Sequence, residues 1–263
     1  MSSAREIQTP DHAESSASPS IEVVLPAHNE ADGIGQVLNE FYDQVAVQDG
    51  IPVRFLVCED GSADNTLQVL NGLANALPLT VLTSAERKGY SRAVIDGLRA
   101  TTADLIAFID SDGQCDPADM ASLVAAIHDA DLVVGYRHPR VDPVYRKIMS
   151  GSFKCVYRIL FPVRLHDPSC PFLILTRPSL QKILNGDIGR LKEGFWWEFN
   201  ARAVACGLRV VERPVHHRVR VAGVTKVYRL KKIPGIALAH LLALFALRRE
   251  LKRMPRNPDH RPE

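Results

Sequence analysis

Short apolar runs alternate with helical stripes through the first half of the chain. Residues 21–27 form a β-branched run that ends in a polar loop. Ile34, Val37, Leu38, Phe41 and Val45 then recur at the spacing of one helix face. A second run, 53–57, stops at Glu59-Asp60-Gly61-Ser62, and Leu67, Leu70, Leu73 and Leu77 make the next stripe. Residues 79–82 predict a third strand, 91–100 a helix, 104–109 a fourth strand and 131–134 the start of a fifth. Pro117 suits the first turn of a helix whose apolar face includes Met120, Leu123, Val124 and Ile127. The second half is less regular. It predicts helices over 145–160 and 193–206, strands over 172–176 and 208–211, and an apolar segment over 233–247, interrupted by His240.

This alternation implies an α/β fold: a Rossmann-like, mostly parallel sheet with helices on both faces. Such sheets bind ligands at the carboxyl ends of their strands, near a switch in strand order. The polar clusters His28-Asn29-Glu30, Glu59-Asp60-Gly61-Ser62 and Asp110-Ser111-Asp112 all fall at such ends. Three separate strands therefore bring acidic or amide groups to one edge.

Asp110-Ser111-Asp112 carries the clearest chemistry. If the chain stays extended there, the two carboxylates point the same way. Side by side they repel unless a cation joins them, and hard oxygen ligands favour Mg²⁺ or Mn²⁺. Gln114 could add an amide oxygen, and a nucleotide diphosphate would complete the shell. A polar strand end that caps the helix after Pro117 would account for the same residues.

Composition and charge add two points. Residues 1–20 are rich in Ser, Pro, Asp and Glu, which reads as a disordered tail without the apolar core of an export signal. The five cysteines are scattered and never in a C-x-x-C pair, which points to a reducing compartment and against a zinc site. The net charge of +2 hides an asymmetry: residues 1–131 hold 6 Lys+Arg against 21 Asp+Glu, and residues 132–263 hold 26 against 9. Either the halves pair across the fold, or the basic half faces phosphates or a membrane surface.

The ordered set Pro26-Ala27-His28-Asn29-Glu30, Glu59-Asp60-Gly61-Ser62 with Asp64, Arg87-Lys88-Gly89 and Asp110-Ser111-Asp112-Gly113-Gln114 resembles the inverting glycosyltransferase family 2, of the GT-A fold. The resemblance continues through Gly135-Tyr136-Arg137, Arg146 with Ser150, and Asp167. It ends at Arg220-Val221-Ala222-Gly223-Val224-Thr225-Lys226, similar to the R-x-x-G-x-S-K segment of polyprenyl-phosphate and dolichyl-phosphate sugar transferases. It implies a nucleotide pocket lined by Pro26, His28 and Glu30, with Asp60 at the base and Lys88 beside it. The family usually carries Tyr or Phe where His28 stands, and a longer loop where Arg87-Lys88-Gly89 stands. The resemblance also implies a metal held by Asp110, Asp112 and Gln114. Arg137, Arg146, Arg220 and Lys226 would meet phosphate charge, and Ser150 and Asp167 would contact substrate.

Two carboxylates compete as a general base. Glu198 lies beside both tryptophans of the chain, and Asp167 lies in His166-Asp167-Pro168. A hydroxyl acceptor needs a base, whereas a phosphate acceptor is already anionic. His216-His217 reads as a strand pair facing opposite sides rather than a metal site. The segment 233–247 falls short of the ~20 residues of a spanning helix. Its flanks, Lys231 and Lys232 before and Arg248, Arg249, Lys252 and Arg253 after, suit an anionic membrane surface; a core or dimer helix would also fit. The expected organisation is thus a tail over 1–20, a catalytic domain over 21–230, and a basic-flanked amphipathic or membrane-associating helix with a polar tail over 231–263. The expected partners are a nucleotide-diphosphate sugar and a polyprenyl-phosphate-like acceptor, not nucleic acid, at the cytoplasmic membrane face. A soluble hydroxyl acceptor is the runner-up. A nucleotidyltransferase would carry a Gly-rich basic loop after the first strand, where residues 26–30 stand instead, and a non-catalytic nucleotide-sugar binder is the third class.

Overall fold

The computed structural model describes residues 21–139, 144–191, 194–221 and 233–253, with the backbone alone for 144–149 and 233–238. The expected tail over 1–20, Lys226 and the side chain of Arg146 lie outside the described residues. The strands are β1 (Ile21–Ala27), β2 (Val53–Asp60), β3 (Leu79–Ser84), β4 (Leu105–Phe108), β5 (Leu132–Arg137), β6 (Leu173–Thr176) and β7 (Val210–Val215). They form one seven-stranded sheet in the order β3-β2-β1-β4-β6-β5-β7. All neighbours pair parallel except β6, which runs antiparallel to both β4 and β5. The register sets Ala27 against Glu59 and Val24 against Phe108, so β1, β2 and β4 release their loops at one edge.

The helices are α1 (Ile34–Tyr42), α2 (Thr66–Leu73), α3 (Tyr90–Ala100), α4 (Met120–Ile127), α5 (Val144–Leu160), α6 (Arg177–Leu184), α7 (Phe195–Ala205) and α8 (Ile233–Arg253). Strand side chains alternate between faces, and two cores result. Val23, Leu25, Phe55 and Val57 pack against Leu38, Phe41, Leu70 and Leu123 of α1, α2 and α4. Val24, Leu56, Ile106 and Phe108 pack against Val94, Leu98, Ile183 and Phe199 of α3, α6 and α7. Both faces are covered, as the near-continuous apolar strands require. Gly97 lets α3 lie close: a Cβ there would stand 2.3 Å from Cys58 Sγ and 2.7 Å from Val24 Cγ1. A third cluster joins Tyr157 and Leu160 of α5, Trp197 of α7, and Leu244 and Leu247 of α8.

Three local expectations change. The chain after β4 turns rather than staying extended, with Gly113 at φ +74°. Residues 177–184 form a helix that the apolar pattern had not suggested; Thr176 caps it by accepting from Ser179 N, and Pro178 sits in its first turn. The apolar segment 233–247 is part of a 21-residue helix whose Leu244 and Leu247 are core. No helix among the described residues is long and apolar enough to cross a membrane.

Candidate active site

The loops after β1 and β2 are stapled to each other. Asn29, at φ 55°, donates its amide to Ser62 Oγ at 3.0 Å, and its Oδ1 accepts from Ala63 N at 2.8 Å. Asn tolerates this left-handed backbone better than most residues. Glu30 N donates to Thr66 Oγ1 at 2.9 Å. His28 Nδ1 lies 2.9 Å from the Asp60 carbonyl, so this nitrogen carries the proton. Glu59 is buried and accepts from Ser62 N at 2.6 Å. These bonds fix the residues expected to line a nucleotide pocket.

Asp60 is also buried, and its carboxylate grips the loop after β3. Oδ1 accepts from Lys88 N at 2.7 Å and Oδ2 from Gly89 N at 2.8 Å. Gly61 permits the approach, since a Cβ there would stand 2.7 Å from Arg87 N. Lys88 Nζ pairs with Asp96. The shortened Arg87-Lys88-Gly89 segment is thereby held through its backbone, and α3 begins directly after it.

Asp110 and Asp112 lie on the turn after β4. The Asp110 carboxyl is pushed up to about 7, first by burial and then by the neighbouring Asp112. Tyr90 donates its hydroxyl to Asp110 Oδ1 at 2.7 Å. Asp112 Oδ1 accepts from Gln114 N at 3.1 Å, and its Oδ2 meets Arg220 Nη2 at 2.9 Å. Arg220 Nη1 lies 3.6 Å from Glu30 Oε1, so one guanidinium bridges the loops after β1 and β4. The segment that carries Arg220 runs beside the turn: Arg218 N donates to Gln114 O, Gln114 Nε2 to Arg218 O, and Val221 N to Asp112 O. Val221 lies against Gly113, where a Cβ would meet its Cγ2 at 2.4 Å.

The same cleft is lined by Arg137, from the end of β5. Its Nε and Nη2 grip Asp167 at 2.6 and 3.0 Å, and Nη2 also donates to Ser169 Oγ at 2.7 Å. Asp167 is therefore an ion-pair partner that orients Arg137. Ser150 is half-buried on α5, and Pro26 is buried within β1. His216 and His217 both line the cleft; His216 pairs with Asp119, and the backbone of His217 bridges to Cys115.

Glu198 is enclosed within the fold. A general base needs a carboxylate facing the reacting atoms, but this one is 0 % exposed on α7. It accepts from Gly189 N at 3.2 Å, Leu191 N at 3.0 Å and Arg202 Nε at 2.9 Å. Arg202, 1 % exposed, continues to Glu250 of α8 at 2.9 Å. Glu198 thus anchors a loop and a helix. The patterning had missed Tyr90 and Trp196. The one available signal was an aromatic residue directly after Gly89, at a helix start.

Among the described residues, no group of three His, Cys, Asp or Glu could hold a metal. Two carboxylates are nonetheless a fitting partial set. Their mutual repulsion and the guanidinium drawn onto Asp112 both mark a locus that favours positive charge. The remaining ligands would come from a diphosphate, as is usual for Mg²⁺ in such sites.

The family model for glycosyl transferase family 2 matches residues 22–184. An uncharacterised glycosyltransferase of Mycobacterium tuberculosis is 33% identical over 80% of this chain and 91% of its own length. The polyprenol monophosphomannose synthase of Mycolicibacterium smegmatis is 28% identical over 78% of this chain and 79% of its own. Among solved structures, the glucosyl-3-phosphoglycerate synthase of Mycobacterium tuberculosis, in complex with Mn²⁺, UDP-glucose and phosphoglyceric acid, shares the fold. It has a TM-score of 0.64 and 18% identity, over 88% of this chain and 80% of its own. The matched span takes in the acidic strand ends and the loops stapled around them, and with it the chain belongs to glycosyl transferase family 2.

Proposed function

We propose that the protein moves a sugar from a nucleoside-diphosphate sugar to a polyprenyl-phosphate-like acceptor, with inversion at the anomeric carbon and a divalent cation at Asp110 and Asp112. One observation carries the reading: the paired carboxylates line a cleft with Arg137, and the Arg220 guanidinium lies directly on Asp112 at 2.9 Å. That arrangement suits two phosphate groups meeting at one carbon. Mg²⁺ or Mn²⁺, when bound, would neutralise charge developing on the departing diphosphate. Asp110 and Asp112 would hold it, and Gln114 would stand beside it. His28, Glu30 and the Asp60 loop would seat the nucleotide. Arg137, kept rigid by Asp167, would meet phosphate oxygens, as would Arg220, Arg146 and Lys226.

The acceptor's phosphate oxygen attacks the anomeric carbon from the face opposite the diphosphate. The carbon–oxygen bond to the diphosphate breaks, and its electron pair leaves with the nucleoside diphosphate. An anionic nucleophile needs no proton removed, which agrees with both candidate bases, Glu198 and Asp167, being spent on arginines. The name of the mycobacterial polyprenol monophosphomannose synthase supports the lipid acceptor.

A second reading, a soluble acceptor, draws on α8. Part of the apolar segment that would approach lipid is instead core, through Leu244 and Leu247. Turnover with a panel of UDP- and GDP-sugars, each offered a short prenyl phosphate, phosphoglycerate and simple sugars, separates the readings. Transfer to the prenyl phosphate is expected. Transfer to soluble acceptors alone would favour the second reading, and no transfer from any donor would favour a non-catalytic binder.

A further inference from the structure

Tyr90 opens α3 and links the loop after β3 to the turn after β4. Its backbone position is fixed by Gly89, whose φ is +91° and whose amide is held by Asp60 Oδ2. Its hydroxyl has two partners, Asp110 Oδ1 at 2.7 Å and Trp196 Nε1 at 2.8 Å. The direction of these bonds is not ambiguous. An indole N–H can only donate, so the phenol oxygen accepts from Trp196. Its single proton then goes to Asp110. Trp196 is itself held fast: it is 5 % exposed, with ring centroids 4.4 Å from Phe108, 4.9 Å from Phe195 and 5.3 Å from Phe199.

We propose that Tyr90 is a positioning residue, which pins one oxygen of Asp110 so that the carboxylate presents a fixed lone-pair direction to the divalent cation. A carboxylate on a turn has a broad torsional range about its last bond. A donor anchored in an aromatic cluster removes that freedom, as outer-shell partners do for metal ligands generally. The chain of contacts Asp60–Gly89–Tyr90–Asp110 also ties the pocket that would seat the base to the carboxylate that would hold the cation. The inference rests on the metal reading of the proposed function.

The test is Mn²⁺ titration in the presence of UDP and, separately, of GDP, followed by electron paramagnetic resonance of the free ion, together with thermal melts. Tyr90→Phe removes one hydroxyl and with it the acceptor of the buried Trp196 N–H, so the fold is expected to persist with a somewhat lowered melting temperature. Mn²⁺ affinity of the folded protein should fall about tenfold, at temperatures well below the melting transition of both proteins. In turnover, the Mn²⁺ concentration for half-maximal rate should rise by a similar factor, while kcat at saturating Mn²⁺ changes much less. Equal Mn²⁺ affinity in Tyr90→Phe and the unaltered protein would overturn the role of Tyr90 alone. A lowered melting temperature without a change in affinity would do the same. Failure of the unaltered protein to bind Mn²⁺ with either nucleotide would overturn the metal reading, and this inference with it.

Discussion

At the scale of single residues, the two acidic roles separate cleanly. In the proposed function Asp112 supplies charge to the cation, and in the structure its described cationic partner is the Arg220 guanidinium. Asp112→Asn keeps the size and removes the charge. It should lower kcat by about 10²–10³, the order seen when one electrostatic partner of a transition state is removed. Full turnover in excess EDTA, or an Asp112→Asn enzyme of normal rate, would contradict this. Glu198 should answer differently. Its neutralisation leaves Arg202 buried with less compensation, so Glu198→Gln is expected to destabilise the fold by about 3 kcal/mol in urea unfolding. The protein that remains folded should keep most of its rate. A kcat loss as deep as that of Asp112→Asn, at unchanged stability, would restore the base. The acidic pair was legible because Asp-x-Asp after an apolar strand is visible in one dimension. The fate of Glu198 was not, since its partners come from residues 189, 191 and 202, and only folding brings them together.

At the scale of elements, α8 shows what periodicity could and could not tell. Its apolar composition was plain, but which stripe meets the core depends on where α5 and α7 lie. Leu244 and Leu247 face them and are 0 % exposed. On the other side, Leu242 is 63 % and Phe245 50 % exposed, and Arg249, Lys252 and Arg253 continue that exposed stripe. This face, rather than the whole segment, is the part suited to an anionic bilayer, with apolar residues to insert and basic residues to attract. Co-sedimentation with anionic vesicles should therefore fall on Leu242→Ser with Phe245→Ser, and with added salt, at an unchanged melting temperature. If the unaltered protein ignores such vesicles at low salt, α8 is better read as a purely structural helix. That the sheet is mostly parallel followed more readily from the pattern, because short apolar runs alternated with helices; its strand order did not. The antiparallel β6 was not readable, since a run of four residues carries no direction.

At the scale of the whole molecule, the charge asymmetry finds part of its explanation within the fold. Arg218 pairs with Glu40 and Arg220 with Asp112 and Glu30, so cations of the second half do meet carboxylates of the first. The Arg220 pairs lie where the loops after β1 and β4 meet, at the carboxyl edge of the sheet. Arg220 is the informative member. Its Nε is buried and has no hydrogen-bond partner among the described residues, which is a costly state for a charged donor. A phosphate entering between Arg220 and Asp112 would relieve that cost and compete for the same guanidinium. Acceptor use should thus depend on Arg220 more than donor binding does. Arg220→Ala is expected to reduce kcat/KM for a short prenyl phosphate by about 10–100-fold, the scale of one charge-assisted contact of roughly 1.5–3 kcal/mol. Affinity for the nucleoside diphosphate with Mn²⁺ should change far less, because Asp110 and Asp112 remain and lose a cationic competitor. Equal losses for donor and acceptor would place Arg220 on the donor diphosphate. An unaffected kcat/KM for the prenyl phosphate, beside a large loss with phosphoglycerate, would turn the reading toward a soluble acceptor.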